Sequence, residues 1–239
     1  MTSATRSGFV GTAVAVLAFG AAFGLVEATV VVYLRAALGL VPGAVMAHDS
    51  DTFGTFEAVE IVRELATLVM IAAVGWIAGR RRLERLAWAA VVFGAWDIVY
   101  YAGLRLAIGW PPTLDTLDVL FLVPGPWVGP VWAPVLVSLA LVVAGLAAAR
   151  RLRAGATIRV GAARAVATLA GGVLVILSFL LEPNPDLAGP WTAWPVFWLG
   201  MALAIVATAS ALVGPRTTSL QRPPFQHGSA RRPPVGTPD

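Results

Sequence analysis

Six runs of apolar residues, near 8–34, 56–79, 86–108, 131–149, 164–181 and 194–213, alternate with polar linkers along the chain. A helix rises about 1.5 Å per residue, so about 20 apolar residues cross the hydrocarbon of a bilayer. The pattern predicts an all-α integral membrane protein, a bundle of six transmembrane helices. Its linkers are RRRLER (80–85), the long GWPPTLDTLDVLFLVPGPWVGP (109–130), RRLRAGATIR (150–159) and EPNPDLAGPWTA (182–193). In the long linker, Asp115 and Asp118 stand at i, i+3 before an apolar run too short to cross. That spacing predicts a short re-entrant or interfacial helix after the third span. The transmembrane domain covers 1–213, and the Arg-, Pro- and Gly-rich stretch 214–239 reads as a disordered basic tail.

Charge then orients the spans. With the N-terminus inside, every inner segment is rich in arginine, and only Arg35, Arg63 and Arg105 fall elsewhere. Among the acids only Glu84 and Asp239 fall inside. Basic inner loops place both termini in the cytoplasm. The basic pI is thus a topology signal, and membrane lipid, not nucleic acid, is the expected partner. The first run contains AFGAA, which resembles a small-residue cleavage site, but it continues apolar to Leu34 and is read as an uncleaved span. Its Gly20-x-x-x-Gly24 pair predicts close approach of a neighbouring helix.

Composition narrows the chemistry. The chain is 58% hydrophobic and 13% charged, against about a quarter charged in soluble domains. There is no cysteine, and all 17 basic residues are arginine. Thiolate metal sites, disulfides and lysine Schiff bases are therefore excluded. No span holds a histidine, so histidine-ligated haem is excluded as well. There is no P-loop, G-x-S-x-G elbow, H-E-x-x-H or dinucleotide fingerprint, and no cofactor is expected. Arginine-only, Ala/Gly/Val-rich usage is associated with bacterial genomes of high GC content, which places the protein in a bacterial cytoplasmic membrane.

The charges that do enter the spans are the candidate site. In FEAVEIVRELATLVM (56–70), Glu57, Glu60 and Glu64 follow i, i+3, i+7, one helical stripe that continues to Thr67. Glu64 lies about 10 Å below the mouth of its span, while Glu27 and Asp97 lie about 12 Å below the ends of theirs. Three carboxylates from three helices thus share one level with Arg63, which predicts inward-facing groups bridged by that guanidinium. Asp97 shares a face with Tyr100, Tyr101 and Arg105. The expected substrate- or ion-binding residues are Glu27, Glu60, Arg63, Glu64, Asp97 and Tyr101. A network that only holds the helices together is the competing reading. A weaker candidate is a calcium-loop pattern over 49–60, with Asp49, Asp51, Gly54 and Glu60 at its first, third, sixth and twelfth positions. Phe53 breaks that pattern at its fifth position. His48 beside these acids gives a second, equally weak metal option.

Carboxylates at mid-depth suit exchange of a proton against a cation. The first functional expectation is therefore binding or transport of a cation, proton or small polar solute. One alternative is an intramembrane enzyme acting on a lipid or lipid-linked substrate, with Glu64 or Asp97 as base and Arg63 holding an anionic group. Another is a structural subunit of an oligomer or membrane complex.

Overall fold

The computed structural model describes residues 3–37, 39, 51–181 and 189–213, with side chains from residue 7 in the first segment and residue 58 in the third. The tail from 214 and the residues His48 and Asp49 lie outside that description. Six helices follow in order: α1 (Ser3–Ala37), α2 (Asp51–Ala78), α3 (Arg82–Ile108), α4 (Trp132–Arg153), α5 (Ala162–Leu180) and α6 (Trp194–Val213). All six are long and apolar enough to cross a membrane. Large apolar side chains such as Ile77, Leu106 and Val213 point outward, as they would towards lipid.

α3 is the central element. α1, α2 and α4 all pack on it, while α5 and α6 pair with one another. Small residues set these crossings. A Cβ added at Gly20 would lie 2.8 Å from Ala95 Cβ and 3.0 Å from the Val92 carbonyl oxygen, and one at Gly24 would strike Trp96 O. The Gly20-x-x-x-Gly24 pair thus seats α1 against α3, as its spacing predicts. Gly94 does the same for α3 and α4, because a Cβ there would run into the Ser138 carbonyl and Val142 Cγ2. Forcing extra atoms into such a contact costs about 1–3 kcal/mol. Gly94→Val is expected to lower the unfolding midpoint in detergent, while the same change at Gly8, which has open space around it, should leave it unmoved.

The segment after α3 is a correction to the sequence reading. In place of a short helix there is an antiparallel hairpin, β1 (Leu117–Phe121) paired with β2 (Trp127–Pro130). Pro124, Pro126 and Pro130 lack the N–H a helix needs, and V-P-G-P is turn chemistry between two apolar runs. The ladder pairs Asp118 with Gly129 and Phe121 with Trp127, with an irregularity between Val119 and Phe121. Bonds from Val131 N to Thr116 O and from Trp132 N to Leu114 O carry the pairing to the start of α4.

The hairpin is packed into the bundle. Phe121 lies between Trp96 of α3 (ring centroids 6.4 Å) and Trp127 (5.3 Å). Trp127 stacks on Phe179 of α5, which stacks on Trp191 before α6. Gly129 has no side chain because the Phe179 ring occupies that space. The GPW segments at 125–127 and 189–191, which lead into α4 and α6, therefore meet in one aromatic cluster with Trp132, Phe197 and Trp198.

At the opposite, arginine-rich end a different knot ties four helices. Arg153 of α4 donates to Glu84 Oε1 of α3 at 2.7 Å, to Gly8 O and Thr12 Oγ1 of α1 at 2.8 and 2.7 Å, and to Ala78 O of α2 at 3.0 Å. Its guanidinium also lies 5.2 Å from the Trp88 ring centroid.

Candidate functional site

At the hairpin end, the inward stripe of α2 meets α1. Arg63 pairs with Glu27 Oε2 of α1 and, through Nε and Nη2 at 2.9 and 2.8 Å, with Glu60 Oε2 of its own helix. Thr67 Oγ1, one turn below, donates to the second oxygen of Glu27 at 2.9 Å. One guanidinium thus serves two buried carboxylates through three separate nitrogens, Nε, Nη1 and Nη2, a spread of donors that a single ammonium nitrogen lacks.

Glu64 does not join that pair. Both its carboxylate oxygens accept the Leu122 backbone N–H of the hairpin at 3.0 Å. Glu64 lies six residues into the apolar part of α2, which begins at Ala58, so the hairpin tip reaches about 9 Å down the helix axis. Asp97 turns to the other side of α3. Its Oδ2 accepts Ser138 Oγ of α4 at 2.8 Å, a contact that the missing side chain of Gly94 makes possible. Tyr101 OH donates to Asp118 Oδ2 of β1 at 3.0 Å. The six residues expected from sequence therefore form three adjoining groups: Glu27, Glu60 and Arg63 together, Glu64 on the hairpin tip, and Asp97 and Tyr101 on the α4 and hairpin faces of α3. Arg105, expected beside Asp97, is exposed and instead donates to Gly109 O and Pro111 O, fixing the turn after α3.

Three site residues were not among the sequence candidates. Asp118 reads as one polar face of a short helix, whereas on β1 its carboxyl points to Tyr101. Ser138 is an isolated hydroxyl in an apolar span, easily taken for neutral filling. Arg35 counts in the sequence as a helix-end charge, yet it is 4% exposed and stands 5.3 Å from the Trp110 ring centroid. Tyr100 connects the groups: Asp118, Arg63, Glu27 and Asp97 all act on it electrostatically. Its ring lies 4.9 Å from that of Tyr101.

The weak metal candidates gain nothing. α2 is continuous from Asp51, so residues 51–60 form helix where a calcium loop would have to curl, and Glu60 is held by Arg63. Among the described residues no three His, Asp or Glu side chains are grouped to hold a metal ion.

Asp118 is the ionisable group here that lies outside the helices. Burial pushes its carboxyl from the ordinary 3.8 up to about 7, against the opposing pull of the Tyr101 hydrogen bond, the Val119 N–H and the charge of Arg35. Between those two values the folded protein holds a proton that the unfolded chain has released. The stability this supplies is complete below 3.8 and is lost as pH rises through about 7. Wild type is therefore expected to melt at progressively lower temperature from pH 4 to pH 7, relative to Asp118→Asn measured alongside.

No family model, no curated protein and no solved structure matches this chain.

Proposed function

We propose that the chain is a multi-pass membrane carrier for protons and small cations, loaded from the hairpin end. The observation that supports this reading is a charge imbalance. Five buried or half-buried carboxyls, Glu27, Glu60, Glu64, Asp97 and Asp118, share the hairpin end with two buried or half-buried guanidiniums, Arg35 and Arg63, while Arg105 there is exposed. If all ionise, three negative charges are left over in a region of low dielectric, where each uncompensated ion costs several kcal/mol. Protons or bound cations complete such a site, and anionic substrates do not. The arginine-rich end then faces the cytoplasm by the positive-inside rule, and the hairpin closes the site from outside.

The test is purified protein in liposomes holding a pH-sensitive dye and an imposed pH gradient. Addition of Na⁺, K⁺, Ca²⁺, guanidinium or a quaternary ammonium ion is expected to collapse the gradient for at least one of them. Glu64→Gln should reduce that rate to the level of empty liposomes. If no cation moves protons and Glu64→Gln only melts lower, the carrier reading gives way to a subunit whose charges hold its helices together.

A further inference from the structure

We propose that the α2–α3 turn, at the arginine-rich end, binds an anionic phospholipid, its phosphate on Arg82 and Arg85 and an acyl chain between Trp76 and Leu86. The site lies at the opposite end of the bundle from the carboxylates and does not depend on the carrier reading.

The turn carries more positive charge than its own segment offsets. Arg80, Arg81, Arg82 and Arg85 all fall in RRRLER (80–85), and Glu84 is the one acid between Glu64 and Asp97. Its carboxylate is already engaged. Oε1 accepts Arg153 Nε of α4 at 2.7 Å, and Oε2 accepts the Arg80 backbone N–H at 3.1 Å. Among the described residues no carboxylate pairs with the four guanidiniums of the turn.

Arg85 separates this turn from a basic loop that only meets water. Its guanidinium carbon lies 3.5 Å from the centroid of the Trp76 ring, and its Nε donates to Gly79 O at 3.2 Å. Trp76 belongs to the apolar part of α2 and is 63% exposed, so its ring faces lipid. A cation is thereby fixed in one plane against a lipid-facing ring, with its two terminal nitrogens left to donate. Arginine binds phosphate through two such N–H groups at once. An unpaired charge at the edge of hydrocarbon is costly, and a phosphate diester removes that cost. A zwitterionic lipid brings its own cation to the arginines and gains less.

Helix geometry puts the rest of the site on the same flank. A Cβ on Gly79 would meet Arg85, and one on Gly75 would meet Ala89, so α2 and α3 run antiparallel with these residues in contact. In an antiparallel pair the residue after each contact position swings to the same side. Those residues are Trp76, after Gly75, and Leu86, after Arg85, and Leu86 is 67% exposed. Arg82 stands one turn before Leu86 and is exposed as well. From the turn inward the flank therefore presents two guanidiniums and then two large apolar side chains, the order of headgroup and acyl chain in a lipid.

The chain contains no cysteine, so a single bimane label can be placed without background. Val69→Cys lies two turns deeper than Trp76 on the same exposed stripe of α2, and Val143→Cys, exposed midway along α4, is the reference. Each is reconstituted in phosphatidylcholine vesicles in which a minor fraction of the lipid has brominated acyl chains, carried either by phosphatidylglycerol or by phosphatidylcholine. Quenching at position 69 is expected to be greater with brominated phosphatidylglycerol, and at position 143 equal for the two. Arg82→Gln and Arg85→Gln should each lower the preference roughly fivefold, the weight of one arginine at a lipid surface. Arg85→Lys should recover only part of it, since the charge stays and the fork is lost. Arg164→Gln, at the start of α5, should leave it unchanged. Equal quenching by the two lipids at position 69, or a preference that survives Arg82→Gln and Arg85→Gln combined, overturns the site. So does a loss in Arg164→Gln as large as in Arg85→Gln, because general attraction to the basic end then accounts for the binding. Arg82 is exposed, so Arg82→Gln reads the site even if Arg85→Gln proves less stable.

Discussion

Arg63→Ala is expected to destabilise the protein by about 3–5 kcal/mol, the usual result of removing one partner from a buried ion pair. For a chain of this length that corresponds to roughly 6–20 °C in the unfolding midpoint. The loss arises because two carboxylates are stranded at once. Glu27, 4% exposed, keeps only Thr67, and Glu60, 8% exposed, keeps no cation. Adding Glu27→Gln to Arg63→Ala should therefore recover part of the loss, since a neutral amide can still accept from Thr67. Arg63→Lys should recover less than its retained charge suggests, because one ammonium nitrogen replaces the three spread donors of the planar fork. Thermal unfolding of the four proteins in one detergent checks this. Equal midpoints for wild type and Arg63→Ala would mean that water already serves these carboxylates, and the site would not be closed.

How much of this site could be read in advance depended on the kind of regularity that encodes each part. The helices were legible because twenty apolar residues between arginines admit few other readings, and the helical stripe Glu60, Glu64, Thr67 was legible because 3.6-residue periodicity gives one face. Depth along straight helices also brought Glu27 to the level of Arg63. Depth does not give rotation, however. Asp97 is at the expected level but turned to Ser138, a consequence of Gly94 drawing α4 close. Nothing local to Asp97 carries that information.

The hairpin was misread for a different reason. Two aspartates at i, i+3 imitate a helical face, and in a chain so rich in helix that spacing outweighed three prolines in seven residues, from Pro124 to Pro130. The prolines were the stronger signal, since each removes a donor outright while an i, i+3 coincidence costs nothing. With the segment taken as helix, Asp118 could not be placed on Tyr101, nor the Leu122 N–H on Glu64. Both site bonds from the hairpin come from the strand geometry.

The opposite end supplies a contrast that separates stability from function. Arg153→Ala is expected to cost about as much as Arg63→Ala, about 3–5 kcal/mol, because Glu84, 3% exposed, loses its cation. The Gly8 and Ala78 carbonyls and the Thr12 hydroxyl lose a donor as well. Glu84→Gln should cost less, since the amide oxygen still accepts from Arg153. Against Glu84→Gln, the double variant should reveal a coupling of about 0.5–3 kcal/mol between the two side chains. None of these atoms touches the hairpin or the groups at its end of the bundle. Once allowance is made for the fraction folded, Arg153→Ala should retain the cation-dependent proton exchange of wild type in liposomes, where Glu64→Gln should not. Loss of exchange in folded Arg153→Ala protein would mean that the two ends of the bundle are mechanically coupled through α3.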